Sequence, residues 1–203
     1  MTGNLEHVFF GEPFGGVIPG ARGAVLAALL RTDAPLTGRQ IHATVSDDYS
    51  LWTVQEALKV LTQLGLVNTQ QIGRAGVHTI NEDHVAVAPL RALLDPIAAL
   101  TDTVREAAGD DVKAVILFGS IARGEAKWHS DVDLAVIAPA SWDGRTDLED
   151  VVSTRLGNNC DVLVFTSEDF ARLSSKGEPV VREILTTGVA LIGSIPRVKS
   201  GVA

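Results

Sequence analysis

Asp131 and Asp133 stand two positions apart in the otherwise apolar run Ser130-Asp131-Val132-Asp133-Leu134-Ala135-Val136-Ile137. On an extended strand alternate side chains share a face, so both carboxylates point the same way, about 7 Å apart along the chain. Two carboxylates held that close repel. A divalent cation relieves the repulsion, and Mg²⁺ is typically bound by one or two carboxylates plus substrate phosphates. Asp161 opens another apolar run, Cys160-Asp161-Val162-Leu163-Val164-Phe165, and can bring a third carboxylate to the same edge. Upstream, the β-forming run Val112–Phe118 leads straight into Gly119-Ser120. A glycine there lets the backbone approach a ligand, free N–H groups at a helix start favour phosphate, and Ser120 adds a hydroxyl. Three acids beside a phosphate-binding turn suit metal-assisted phosphoryl or nucleotidyl transfer. The plainer alternative makes Asp131 and Asp133 solvated acids at a strand edge, and Asp161 an acid that merely starts a strand.

Gly119-Ser120, Asp131-x-Asp133 and Asp161, in that order on a strand–turn–strand frame, resemble the signature of the polymerase-β-like nucleotidyltransferases. The string from Gly119 through Arg123 and Gly124 to Leu134 is similar to the minimal nucleotidyltransferase branch, which includes relatives of the aminoglycoside nucleotidyltransferases. Glu178–Leu185 and Gly188–Gly193 resemble the closing helix and short strand of that branch, so the resemblance covers about residues 90–194. It implies that Gly119 and Ser120 hold the β- and γ-phosphates of a nucleoside triphosphate, with Arg123 and Ser130 also at the nucleotide. It implies that Asp131 and Asp133 bind two Mg²⁺ (or Mn²⁺) ions. Asp161 would complete one metal site and help to deprotonate the attacking hydroxyl. The implied chemistry is in-line attack on the α-phosphorus with loss of pyrophosphate. Arg123 either neutralises phosphate or pairs with a carboxylate. Trp128, in the loop between the motifs, either stacks on a base or packs on its own domain. The branch often works with a separately encoded helical protein partner.

The elements that must carry these residues follow from periodicity. Val112–Phe118, 131–138 and 161–166 read as strands of a small mixed sheet with flanking helices. In the first half, Val25, Leu26, Leu29 and Leu30 give one apolar helical face. Thr37 can cap a second helix containing Ile41 and Val45, and Ser50 a third with Val54, Ala57, Leu58 and Leu61 inward, closed by Gly65. Leu66-Val67 and Val77–Ile80 flank the Gly-rich segment Gly73-Arg74-Ala75-Gly76, a β-hairpin pattern. Leu5–Gly11 reads as a short strand, and Leu90, Leu93, Leu94, Ile97 and Leu100 form a helical stripe that Pro96 either kinks or restarts. Residues 20–85, three helices and a hairpin, resemble the winged helix-turn-helix of bacterial transcription regulators. That resemblance implies duplex DNA as partner, with Ser50, Thr53, Gln55 and Lys59 on the recognition helix and Arg74 at the wing tip. The competing reading is a protein-docking module, because few basic residues are available to neutralise phosphates.

The 203 residues are 46% hydrophobic and 21% charged, an ordinary globular composition, and the net charge of −8 means that any nucleic-acid contact must come from a local patch. The single cysteine, Cys160, excludes a disulfide framework and fits a reducing cytoplasm. His42 and His78 have no third partner at ligand spacing and read as surface or satisfied histidines. No apolar run reaches the length of a membrane span, and Met1–Phe10 lacks the layout of a signal peptide. The expected fold class is α+β with two domains: a winged helix at 1–86, a connecting helix at 87–110 and an α/β nucleotidyltransferase-like domain at 111–203. The expected function is Mg²⁺-dependent nucleotidyl transfer to a hydroxyl acceptor by a cytoplasmic protein, monomer or homodimer, with its own DNA-binding module. The alternative is a DNA-binding regulator, of toxin–antitoxin type or otherwise, whose second domain senses nucleotide.

Overall fold

A computed structural model describes residues 13–126 and 130–196, so the strand expected at Leu5–Gly11 and the loop residue Trp128 lie outside the described residues. The chain divides into two compact units, Glu12–Pro96 and Ile97–Ala203.

The first unit begins with a 3₁₀ turn, Pro13–Gly16, followed by helices α1 (Gly20–Leu30), α2 (Gly38–Val45) and α3 (Leu51–Gln63). Thr37 starts α2 with a capping box: its hydroxyl accepts from the Gln40 N–H at 3.3 Å, and the Gln40 side chain accepts from the Thr37 N–H at 2.8 Å. Ser50 caps α3 through the Thr53 N–H at 3.2 Å. Gly65, at φ +77°, closes α3; the Gly65 N–H reaches the Thr62 carbonyl and the Leu66 N–H the Leu61 carbonyl, the two bonds of a Schellman end. The hairpin strands β2 (Val67–Ile72) and β3 (Ala75–Ile80) pair antiparallel, with Ile72 opposite Ala75. The turn is therefore only Gly73-Arg74, shorter than the four-residue segment expected, because Gly73 supplies the positive φ that a two-residue hairpin loop needs. A two-residue strand β1 (Leu36–Thr37), not expected from the sequence, adds to β3 and gives the order β1-β3-β2. The apolar faces of all three helices meet in one core of Val25, Leu26, Leu29, Ile41, Val54 and Leu58.

The stretch expected to be a single connecting helix is two helices, α4 (Val87–Leu93) and α5 (Pro96–Ala108). Pro96 restarts the helix rather than kinking it, since a proline at the first helical position gives up no hydrogen bond. Val87, Leu90 and Leu94 pack into the first unit's core, whereas Leu100 and Val104 belong to the second unit.

The second unit is a four-stranded sheet in the order β6-β5-β4-β7, built from β4 (Ala114–Phe118), β5 (Val132–Ile137), β6 (Cys160–Phe165) and β7 (Val189–Ile192). β4 runs antiparallel to β5 and β7, and β5 runs parallel to β6. A parallel pair needs a crossover, which α7 (Arg145–Leu156) provides. The short helix α6 (Gly119–Ala122) follows β4, and α8 (Ser167–Ser175) and α9 (Pro179–Thr187) lie between β6 and β7. Strand alternation splits the core between the two faces of the sheet. Val115, Leu117, Val132, Leu134, Val136 and Val162 pack with Leu100, Val104, Leu148 and Val152 on one face. Ile116, Phe118, Ala135 and Ile137 pack with Phe170, Val181 and Ile184 on the other.

Phe170 is wholly buried and meets Phe165 edge-on at 5.6 Å between ring centroids. Phe170→Ala should destabilise this unit by about 3–5 kcal/mol, read as a lower urea midpoint for its unfolding transition. A loss below about 1 kcal/mol would show that the second face of the sheet is not a packed core.

Candidate active site

β4 ends at Phe118, which pairs with Asp133 on β5, and Asp133 in turn lies directly beside Asp161 on β6. Neighbouring strands are about 4.8 Å apart, so the two carboxylates start from adjacent backbone positions. Val132, Leu134, Cys160 and Val162 point to the α5–α7 face, which leaves Asp131, Asp133 and Asp161 on the opposite one. The three acids named from sequence are thus brought to one edge and one face of the sheet. Asp131 immediately precedes β5 and is half-buried like Asp133, whereas Asp161 is exposed.

Gly119 sits against this edge with φ +74°. A Cβ built on it would lie 2.0 Å from Asp133 Oδ2 and 2.9 Å from Asp133 Cγ. Both the backbone conformation and the missing side chain are therefore required for the β4–α6 turn to pass over the carboxylate. Ser120 follows, partly exposed, and its carbonyl accepts from the Glu125 N–H at 2.9 Å, which closes the turn.

The electrostatics are one-sided. Burial, then the charges of Asp161 and Asp131 and more weakly Glu183, push the Asp133 carboxyl above the usual carboxylate range; Arg123 pulls it back only partly. Arg123 pairs with carboxylates: its Nε donates to Glu125 at 2.8 Å and its Nη1 to Glu183 on α9. Of the two roles open to Arg123, the carboxylate pair is the one present, and it ties the turn after β4 to α9. Ser130 lies at the mouth of β5, where its carbonyl accepts from Asn158 Nδ2 at 3.1 Å. The start of β6 is fixed on α7: Glu149 Oε1 accepts from the Val162 N–H at 3.0 Å and from Arg145 Nε at 2.9 Å. Burial, then the nearby acids Glu149, Asp161 and Asp133, push the Cys160 thiol up to about 12, so it packs as a neutral small residue beside the acids.

The donor set is all oxygen, which suits a hard divalent cation, and the Asp133 carboxylate is held against the Gly119 turn. Among the described residues no three His, Cys, Asp or Glu side chains are gathered closely enough to hold an ion alone.

Residues 101–194 match the family model Polymerase beta, Nucleotidyltransferase. The matched segment contains all four strands of the second sheet, the Gly119 turn and the three acids, so the likeness read from the motifs holds at the level of the domain type. No curated protein matches the chain. Among solved structures, a toxin–antitoxin with AMP-PNP is 23% identical over 48% of this chain and 73% of that one, with a TM-score of 0.38. The tri-AMPylated HEPN toxin of Shewanella oneidensis in complex with MNT antitoxin is 18% identical over 48% and 73%, with a TM-score of 0.33. A structure of the DNA recognition and protein interaction domains of HOP2 is 20% identical over 30% of this chain and all of that one, with a TM-score of 0.30. At TM-scores this low, these likenesses add no weight to any residue assignment.

In the first unit the residues named for DNA contact separate into two groups. Gln55, Lys59 and Arg74 line one groove, together with Arg39, which carried no signal in the sequence beyond its charge. Ser50 and Thr53 are engaged with each other at the start of α3, hydroxyl to hydroxyl at 2.8 Å. Glu183 and Glu149 carry no local signal of a supporting role: Glu183 is a polar position on an amphipathic helix 60 residues from the arginine it holds, and Glu149 lies on α7, whose residues show little amphipathic periodicity.

Two outcomes are expected. Gly119→Ala should destabilise the second unit by more than about 1 kcal/mol, from the left-handed conformation alone, with additional loss from the overlap with Asp133; urea unfolding checks this. Asp133→Asn should do the opposite. The folded-state pKa of Asp133 lies above its unfolded value, so stability from this group is present below the unfolded pKa and lost as pH rises through the folded one. In metal-free buffer at neutral pH the variant should melt higher than wild type, and the gap should close as pH falls into the carboxylate range.

Proposed function

We propose that the chain is a Mg²⁺-dependent nucleotidyltransferase that moves a nucleoside monophosphate from a nucleoside triphosphate to a hydroxyl acceptor, joined to a DNA-binding winged helix. The observation that carries the reading is the close passage of Gly119 over Asp133 with Asp161 in register beside it. The family match over residues 101–194 supports it.

In this reading the backbone at Gly119 and the Ser120 hydroxyl bind the β- and γ-phosphates. Asp131, Asp133 and Asp161 hold the metal, which when bound supplies charge stabilisation at the attacking and leaving oxygens. Asp161, exposed at the edge of the sheet, takes the proton of the acceptor hydroxyl. The acceptor oxygen forms a bond to the α-phosphorus, the α–β bridging P–O bond breaks, and its electron pair leaves with pyrophosphate. Arg123 reaches the phosphates only by leaving Glu125 or Glu183, so its role is to hold the turn and partly offset the acids. The three helices with their hairpin are read as the DNA-binding part. A separately encoded helical protein is the partner that the resemblance implies.

The test compares wild type, Asp161→Asn and Ser120→Ala for triphosphate affinity and pyrophosphate release with a cell lysate as acceptor source. An interaction made mainly in the transition state lowers turnover and leaves ground-state binding largely intact. Asp161→Asn should keep most affinity and lose about 10²–10⁴-fold in transfer. Ser120→Ala should lose affinity first. Wild-type nucleotide binding that alters DNA affinity without pyrophosphate release would make the second unit a sensor instead.

A further inference from the structure

The three acids of the second unit are not held alike. Asp133 is fixed by its strand, opposite Phe118 on β4 and beside Asp161 on β6. Asp161 lies inside β6, and the residue after it, Val162, is bound by Glu149 from α7. Asp131 stands outside the ladder, because β5 begins one residue later, at Val132. Where its carboxylate points depends on what holds the backbone on either side of it.

Both sides are held by one short loop. α7 ends at Leu156, and Gly157 leaves it in the left-handed conformation, φ +77°, with its N–H bonded to the Ser153 carbonyl at 2.9 Å. Asn158 and Asn159 follow and lead into β6 at Cys160. The Asn159 carbonyl accepts from the Val132 N–H at 2.8 Å, one residue after Asp131. The Asn158 side chain reaches 28 residues back along the chain, where its Nδ2 donates to the Ser130 carbonyl at 3.1 Å, one residue before Asp131. Asp131 is thus bracketed by hydrogen bonds from two adjacent residues.

The two bonds ask different things of the sequence. The Val132–Asn159 bond joins main chain to main chain, and any residue at 159 can make it. The Ser130 bond needs a donating side chain at 158, since a carbonyl only accepts. Asparagine supplies an amide donor on a short stem, whereas an ionised aspartate of the same shape has only acceptors to offer. Asn158 and Ser130 are both half-buried, which strengthens the bond over one at an open surface. A metal-binding carboxylate must be held within about 0.5 Å of its working position. Groups that orient such ligands are typically worth about 10–100-fold in metal affinity or activity.

We propose that Asn158 is a positioning residue for Asp131: its amide, bound to the Ser130 carbonyl, sets where the Asp131 carboxylate stands relative to Asp133 and Asp161, and so sets how strongly Mg²⁺ assists triphosphate binding. The proposal rests on the nucleotidyltransferase reading and adds to it a residue that acts through the backbone of another.

The experiment is calorimetry of the full chain with α,β-methylene ATP, whose bridging carbon resists cleavage, in excess Mg²⁺ and again in EDTA. Wild type is compared with Asn158→Ala, with Asn158→Ser, whose hydroxyl is too short to reach Ser130, and with Asn159→Ala, which keeps the main-chain carbonyl. In wild type Mg²⁺ should strengthen binding of the analogue. Both Asn158 variants should bind it about 10–100-fold more weakly in Mg²⁺ and as wild type does in EDTA. Asn159→Ala should match wild type in both buffers. Hydrogen exchange without metal or nucleotide gives a second readout: the Val132 N–H should exchange faster in the Asn158 variants, while Ile116 in the middle of β4 stays protected. Equal weakening in Mg²⁺ and in EDTA would overturn the proposal, because Asn158 would then shape the nucleotide site and not the acids. Unchanged affinity in Mg²⁺ would also overturn it. So would loss of protection at Ile116 in both Asn158 variants, which would make Asn158 a support of the whole sheet. If wild type binds the analogue no better in Mg²⁺ than in EDTA, the nucleotidyltransferase reading itself fails, and the proposal with it.

Discussion

The second unit is organised around a place where a side chain cannot be. The turn from β4 into α6 passes so close to Asp133 that even a methyl group at position 119 would overlap Oδ2. That approach covers one side of the Asp133 carboxylate, and this burial, with Asp161 and Asp131 close by, makes its charged form costly. Everything else in the unit holds the two sides of this contact in place. β4 is fully buried and hydrogen-bonded on both sides, so the end of the strand cannot retreat. β5 is held between β4 and the parallel β6, which sets Asp133 opposite Phe118 and beside Asp161.

The supporting contacts are polar and local. Glu149 on α7 takes the Val162 N–H and so fixes the residue after Asp161, through a side chain that is itself oriented by Arg145. Arg123 joins Glu125 and Glu183 and draws α9 toward the turn. Burial first, and then acids that Arg123 only partly offsets, hold the Asp133 carboxyl above the usual carboxylate range. An imbalance of this kind is a stability cost concentrated at a site, as expected where function rather than folding selects the residues.

Much of this was legible in the sequence because the signals are short-range. The apolar runs gave β4, β5 and β6, and capping residues gave α2 and α3 at Thr37 and Ser50. The order Gly-Ser, Asp-x-Asp, Asp pointed to the edge at which the sheet gathers them. What was not legible depends on partners distant in sequence. β1 is two residues long and exists because β3 is there to pair with it. The Arg123–Glu183 and Glu149–Val162 contacts join segments that no local pattern connects. The single connecting helix read at 87–110 is divided at Pro96 because its apolar stripe serves two cores, Leu90 and Leu94 in one and Leu100 and Val104 in the other. Arg39 became meaningful only once folding set it beside Lys59 and Arg74.

The central claim is that the Gly119–Asp133 edge directs attack to the α-phosphorus. It is tested most directly by incubating the full chain with Mg²⁺, cell lysate and ATP labelled on either the α- or the γ-phosphate, repeated with the other nucleoside triphosphates. The account predicts macromolecular or small-molecule product labelled from the α position only, with the γ label recovered in pyrophosphate. Product labelled from the γ position, or release of a nucleoside diphosphate in place of pyrophosphate, would contradict it.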